Sequence, residues 1–512
     1  MPSEAILRPM GRKRWHNWHK TVRQSIDELY EIGNPEGSSK LASLNKTSEK
    51  IEELIAKARS ENRRLRAMGG GWSLSRITAS DGYMLNMGYL NFHFNLTASA
   101  VSDAYPGDPA KLHLVQGGRS INKINEHLES GASPRSLRTS GAANGQSYVG
   151  AASTGTHGSA LRHGAVHDQI VGMLLLTGEN GRVWLERESN PVLNDDFAAR
   201  LGAVLMRDDT LFNAAQVSLG AFGIIHAVLI ETRDLLILES HNKVLPYDAA
   251  MRQALDTLDV SNLPLKWGMD APDPTENDPY FFQVIINPFS PTQKQAFVTT
   301  MYERPPTVDD VPDYALEEGF KPGYDLLSLI AYVTDRLPSV MGFLANQGAG
   351  TLIREGVSRN SFGGMFDYKP PKTKVGSASV FVPLEHTSRT VDLILDLINN
   401  GYPAPVAIVC RFQAQTGSLL GPNRFGMNCA IGTDGVHSKN TLKLFAATTN
   451  KLREAGIPFT QHWGKSGDFS EDTVRHMYGQ DVDRWIAARN TLLAPADRKV
   501  FTNDFLVAAG LG

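Results

Sequence analysis

Only two cysteines, Cys410 and Cys429, occur in 512 residues. No disulfide framework is available, and a reducing compartment is allowed. Long hydrophobic runs are also missing: aliphatic stretches such as 173–176 are far too short to span a bilayer, and the N-terminus has no apolar segment that reads as an export signal. Positive charge is not in excess. With 51 Lys and Arg against 54 Asp and Glu, the formal net charge of −3 argues against a nucleic-acid binder built on dense basic patches, and Arg12-Lys13-Arg14 is basic but short. No internal repeat or low-complexity tract interrupts the chain. A soluble, cytoplasmic protein of two or three domains is expected, 41% hydrophobic and 21% charged.

One stretch lacks charge altogether. Residues 140–159 contain five glycines and four alanines among small hydroxyls, with no Lys, Arg, Asp or Glu. With so few side chains in the way, backbone N–H groups can approach phosphate or ring oxygens closely, and Gly141, Gly145, Gly150, Gly155 and Gly158 permit positive φ where turns need it. Such a stretch reads either as a tight packing loop or as a cofactor cradle.

The elements around it are alternating. Ile51, Leu54, Ile55 and Ala58 lie on one face of a helix from about Thr47. A strand at 65–68 runs into Gly69-Gly70-Gly71-Trp72-Ser73, which has neither Rossmann nor Walker spacing. A strand at 112–116 ends in Gly117-Gly118, and Ser120 stands as helix cap. Strands at 169–176 and 182–185 flank Gly178-Glu179-Asn180-Gly181, a hairpin signal. Ser218–Gly223 leads into a strand at 224–231.

Near residue 236 the glycine-rich style stops. Residues 262–323 are rich in Pro and Asp, and 324–347 read as helical. Further on come strands at 377–382, 406–415, 425–432 and 457–463, with helices at 387–399, 438–455, 471–478 and 481–493. Near the N-terminus, Trp15, His16, Asn17, Trp18 and His19 read as an aromatic-packed arm, since no second cluster supports a metal site there.

Three separated stretches resemble one family, the flavin-linked oxidases of the vanillyl-alcohol-oxidase type, and within it the sugar-lactone, alditol and sterol oxidases. The first is Gly69-Gly70-Gly71-Trp72-Ser73-Leu74-Ser75 with Ser80-Asp81-Gly82 and Leu90-Asn91. The second, Ala152-Ser153-Thr154-Gly155-Thr156-His157-Gly158-Ser159, is similar to the family's pyrophosphate loop. The third joins His462-Trp463-Gly464-Lys465, Tyr478, Arg489 and residues 501–506. The resemblance implies an α+β chain: a two-subdomain FAD-binding domain and a cap domain with a large antiparallel sheet flanked by helices. It divides the chain into an arm (1–45), the FAD domain (46–236), the cap (237–465) and a segment returning to the flavin (466–512). The implied FAD contacts are Gly69, Gly70, Gly71, Trp72, Ser73, Ser75, Gly150, Ser153, Thr154, Gly155, Thr156, His157, Gly158, Ser159, Gly223, Ile224 and Lys465. No metal is implied.

Two departures follow. Trp72 stands where many relatives have the histidine that bonds covalently to flavin, so FAD is expected to be held noncovalently; His157 reads either as a loop-bonding histidine or as an alternative attachment. Relatives carry Glu-x-Arg on a cap strand, and here the match is Val409-Cys410-Arg411. Alternation puts Val409, Arg411 and Gln413 on one face, so Arg411 is expected at the ligand with the glutamate absent. Alcohol oxidation by a flavin needs an acceptor for the O–H proton and positive charge for the reduced flavin. Lys465 is the expected charge, Arg411 the group binding substrate oxygen and His462 the remaining candidate base. Glu385-His386 reads as a helix start, and the two cysteines as core thiols. Val409 and Trp463 suggest a pocket less polar than a sugar site.

The expected function is FAD-dependent removal of hydride from a CH–OH carbon of a small molecule, a lactone, polyol or less polar alcohol, with oxygen or another acceptor regenerating the flavin. The alternatives are an FAD-binding protein without turnover, acting as a sensor or assembly subunit, and an oxidative cyclase of natural-product biosynthesis. A homo-oligomer is compatible with the sequence, and no nucleic-acid partner is expected.

Overall fold

The computed structural model describes residues 6–265, 279–289, 294–308, 310, 312, 314, 355–367 and 374–512. The expected helix at 324–347 lies outside the described residues. Two small sheets and one large sheet make up most of the remainder. The first has four strands in the order Ile6–Pro9, Glu28–Gly33, Tyr83–Tyr89, Leu65–Met68. The second has six, in the order Val204–Arg207, Arg182–Glu186, Ile170–Leu176, Ile224–Glu231, Leu112–Gln116, His93–Asn95. Its centre is apolar on both faces, as a continuous run such as Ile170–Leu176 requires: that strand is buried along its whole length.

The helix Lys40–Ser60 packs between these sheets. Ser39 caps it, accepting from the Ala42 N–H, and Ile51, Leu54, Ile55 and Ala58 are buried as their spacing predicts. Each such large apolar side chain contributes about 1.5–3 kcal/mol over an exposed position. The helix begins ahead of Thr47, so the expected boundary between residues 45 and 46 cuts through it. Ser120 precedes the helix Ile121–Glu129, but its hydroxyl donates to Asn122 Oδ1 instead of capping the backbone.

The cap sheet is antiparallel throughout. Its eight strands run in the order Gly356–Ser361, Ile237–Pro246, Gln295–Arg304, Phe281–Asn287, Val406–Ala414, Met427–Val436, Val375–Pro383, Thr460–Gln461. Helices Thr387–Asn400 and Lys439–Glu454 pack together behind it. The strands at 281–287 and 295–304 fall in the stretch that reads as Pro- and Asp-rich, where no strand is expected from sequence. The strand expected at 457–463 shrinks to Thr460–Gln461, because the chain turns at Trp463-Gly464. The strand expected to end at Gly432 continues to Val436, which matters for the site. Cys410 and Cys429 are buried and unbonded, and Glu385-His386 form a short helical turn away from the cavity described below. Among the described residues, no helix is long and apolar enough to cross a membrane.

Candidate active site

Three glycine loops converge where the two small sheets meet the cap. The first leaves the strand Leu65–Met68 and turns at Gly71, whose φ is +66°. It is held from two sides: Trp18 N–H donates to Gly71 O at 2.7 Å and Asn17 Nδ2 to Ser73 O at 2.9 Å, while Leu74 N–H donates to Gly464 O at 2.8 Å. The aromatic arm therefore seats on the loop, with the Trp18 ring centre 5.8 Å from that of Trp72. In the second loop Ser147 caps the short helix Tyr148–Ala152. Of the five glycines at 140–159, only Gly155 takes a positive φ, +73°. The others serve close approach instead: a Cβ on Gly145 would lie 2.5 Å from the Trp72 ring, and one on Gly158 2.3 Å from Ser140 O.

The third loop, 218–223, is fastened to the first by Arg66. This buried guanidinium donates to the carbonyls of Leu219, Gly220, Ile77 and Phe501 at 2.6–2.9 Å, and burial lowers its pKa to about 10. Four carbonyls from three chain segments thus share one charge.

The loops enclose a cavity of about 430 Å³. Its wall includes residues 69–73, Gly150, Ser153, Thr154, Thr156, His157, Gly223 and Ile224, and at the cap end Arg411, His462 and Lys465. Four expected contacts lie off it. Ser75 Oγ donates to Trp463 O at 2.6 Å; Gly155 packs against Pro422; Gly158 abuts Ser140; and Ser159 Oγ, between the Phe282 carbonyl and the Phe412 N–H, ties the loop to the cap sheet. They fix the loop from behind.

At the cap end the charges gather. Lys465 Nζ donates to Asp434 Oδ1 at 3.0 Å and to Ser379 Oγ at 2.8 Å. Arg411 Nη1 stands 3.9 Å from Asp434 Oδ2, and its Nε donates to Gln283 at 2.9 Å. Ser377 Oγ donates to Asp434 Oδ1. Burial pushes the Asp434 carboxyl up, but Lys465, Arg411 and Ser377 outweigh it and hold the pKa near 2. For Lys465, burial is the largest influence and lowers the pKa against the attraction of Asp434. Asp434 is the sole acidic residue on the cavity wall among the described residues.

The histidines correct the expectation for a base. His462 Nδ1 accepts from the Gly464 N–H at 3.0 Å, so the neutral ring carries its proton on Nε2 and is a donor there. Burial, then His157 and Lys465, hold its pKa well below the ordinary value. A ring that already holds its only mobile proton and resists a second one does not serve as the base. His157 has the opposite tautomer, Nδ1 lying 3.0 Å from Gly158 O and 3.1 Å from Gln413 Oε1; burial, with Arg411 and Lys465 nearby, lowers its pKa to about 3. Its bond to the loop backbone is the first of the two readings made of it.

Sequence reading missed Asp434, Arg66 and His19, all on the wall. Asp434 lay beyond the assumed strand end, and a register pairing Ala407 with Asp434 would have placed it on the Arg411 face. The two residues from which a less polar pocket is expected, Val409 and Trp463, are 4% and 0% exposed and do not line the cavity. Trp463 stacks between Phe469 and Tyr478 and donates its indole N–H to Leu420 O.

Residues 42–185 match the family model described as FAD binding domain. The cradle carries FAD. A glycine-lined wall with a single carboxylate among its described residues, open to backbone N–H donors, suits a dianionic dinucleotide. Along the whole chain, L-gulono-1,4-lactone dehydrogenase of Mycobacterium tuberculosis is 26% identical over 90% of this chain and 93% of its own. L-Gulonolactone oxidase of Bos taurus is 26% identical over 41% of this chain and 40% of its own. In structure, cholesterol oxidase from Brevibacterium sterolicum superposes with a TM-score of 0.70 at 13% identity, covering 99% of this chain and 97% of that one. The resemblance drawn from the motifs is supported: this is an FAD-dependent oxidoreductase, similar in sequence to lactone-oxidising flavoenzymes and sharing the fold of cholesterol oxidase.

Proposed function

We propose that the chain oxidises a CH–OH carbon of a small, polar molecule of the polyol or lactone class. The observation that carries this reading is the cluster Arg411, Asp434 and Lys465 with Ser377 at the cap end of the FAD cavity. Hydroxyl-rich substrates can use the bonding capacity that this cluster leaves open toward the cavity, such as that of Asp434 Oδ2 and Arg411, which an apolar alcohol would use less fully.

Bound FAD supplies the hydride acceptor. In this reading the glycine loops at 69–73 and 150–157, with Gly223 and Ile224, hold it, and Trp72 leaves it noncovalently bound. Lys465 provides the positive charge that favours the reduced state, held in place by Asp434 and Ser379. Arg411, braced by Gln283 from the neighbouring strand, orients substrate oxygen. The division into a cradle that takes in the whole helix Lys40–Ser60 and ends near 236, a cap (237–465) and a returning segment (466–512) belongs to this reading. It is supported by Asn503, whose side chain donates to Ile77 O and Ala79 O beside the first loop.

A panel of polyols, sugar lactones, simple aliphatic alcohols and sterols, scored by anaerobic flavin reduction, tests it. Polyols or lactones reducing the protein at least tenfold faster than the apolar alcohols is the expected result. A preference for sterols or aliphatic alcohols would overturn the substrate class.

A further inference from the structure

The absent glutamate at position 409 leaves the site without an evident acceptor for the hydroxyl proton, and His462, with its proton on Nε2, does not supply one. Val409 pairs with Gly432 across the ladder, and Ala407 with Asp434. Directly paired residues of an antiparallel ladder point to the same face, so Asp434 shares the face of Arg411 and stands two pairs along from Val409. A carboxylate is thus present, on the adjacent strand.

We infer that Asp434 accepts the proton of the substrate hydroxyl, supplying from the strand Met427–Val436 the carboxylate that position 409 lacks. This rests on the reading of the site as a CH–OH oxidising centre. The two oxygens of Asp434 are unequal. Oδ1 takes hydrogen bonds from both Lys465 Nζ at 3.0 Å and the Ser377 hydroxyl, whereas Arg411 Nη1 approaches Oδ2 only to 3.9 Å, beyond hydrogen-bond reach. Oδ1 is therefore the fixed end and Oδ2 the free one. Gly432 keeps Oδ2 uncovered, since a Cβ there would lie 3.1 Å from it. The side chain retains 32% exposure and lines the cavity.

In the step, the carbinol C–H electron pair leaves as hydride to the flavin and the O–H bond breaks. The O–H electron pair becomes the second bond of the carbonyl, and the proton forms an O–H bond on Asp434 Oδ2. A carbonyl product, reduced flavin and a neutral Asp434 carboxyl result, the last returning its proton to water. The carboxylate needs no unusual basicity, because the hydroxyl becomes strongly acidic as hydride departs. The charged and titratable groups facing Asp434 are Lys465, Arg411 and, farther off, His462.

The test uses the full-length, FAD-loaded protein and the variants D434N, D434S and D434E. With the fastest polyol or lactone of the panel, D434N and D434S are expected to slow anaerobic flavin reduction at least 100-fold, and D434E to recover at least tenfold of that loss. Sulfite titration read from flavin absorbance gives a measure independent of turnover: removing the negative charge should tighten sulfite binding several-fold in D434N if the carboxylate faces the flavin, and the rate loss with its recovery in D434E then separates proton acceptance from a charge effect alone. D434S carries the comparison if D434N does not retain FAD. Rates for D434N and D434S within threefold of wild type, in a protein that the substrate reduces, overturn the assignment of Asp434 alone. Wild-type protein that binds FAD but is reduced by no carbinol overturns the proposed function as well.

Discussion

Lys465 Nζ lies 3.0 Å from Asp434 Oδ1, joining the His-Trp-Gly-Lys turn at the end of the chain to the cap strand Met427–Val436. Asp434 is placed by the cap sheet and Lys465 by a turn bonded to the first glycine loop through Leu74 and Ser75, and both face the cavity. The pair ties two parts of the cap together at the mouth of the cradle. It also makes Lys465 a fixed charge, so its removal is expected to be felt in chemistry more than in folding. K465M should lower the rate of anaerobic flavin reduction by about 10²–10³, the usual loss for a preorganised charge aimed at a developing anion. The far-UV spectrum and the FAD content are expected to persist. Stopped-flow reduction checks this, and a loss under tenfold would refute the role of Lys465.

Acid should destabilise the protein well above the range of carboxylates. His226 is buried, with Nδ1 at 2.8 Å from Ser48 Oγ and Nε2 at 3.1 Å from Thr47 Oγ1, and burial lowers its pKa to about 3. His157 is lowered to about 3 in the same way. A group whose folded pKa lies below its unfolded value binds more protons when unfolded. The stability it contributes is present above about 6.5 and is lost as pH falls toward the folded value. By pH 5 each such histidine costs on the order of 2 kcal/mol. Melting temperature should therefore drop between pH 7 and pH 5, and H226N should flatten that slope. An unchanged slope in H226N would contradict the assignment.

The second loop should tolerate no side chain at Gly158, where a Cβ would meet the Ser140 carbonyl at 2.3 Å. Backbone must move to admit it, so G158A is expected to cost about 1–3 kcal/mol and to weaken FAD retention at least tenfold. Gly181 is the control: its φ is +70° but a Cβ there meets nothing within 4 Å. G181A should cost about 1 kcal/mol and leave FAD binding intact. Thermal melting and FAD release on dilution measure both.

Trp72 gives a further outcome. An indole makes no bond to the flavin methyl group, and His157 has its Nδ1 turned to Gly158 O and Gln413. Acid precipitation should leave the yellow cofactor in the supernatant. Colour in the pellet would show that another side chain holds it.

Much of this arrangement was legible in the residues. The helix face of Ile51, Leu54 and Ile55, the hairpin around Asn180-Gly181 and the glycine loops announce themselves by period and turn chemistry, and Lys465 and Arg411 by their motif positions. Asp434 did not, because its role depends on a strand continuing past Gly432 and on its register with the strand of Arg411, neither of which local propensity fixes. Arg66 was invisible for a related reason: its four carbonyl partners are remote in sequence and carry no side-chain signature. His462 was misread because tautomer follows from a backbone donor, Gly464, that composition does not reveal. Val409 and Trp463, read as pocket residues, are spent on packing, which their sequence positions do not reveal.

The most direct measurement is anaerobic addition of the polyol and lactone panel to the FAD-loaded protein, following the visible flavin spectrum. Bleaching of the oxidised flavin by at least one of these compounds, with a carbonyl product in equal amount, is predicted. A spectrum that stays fully oxidised with every carbinol offered would contradict the account.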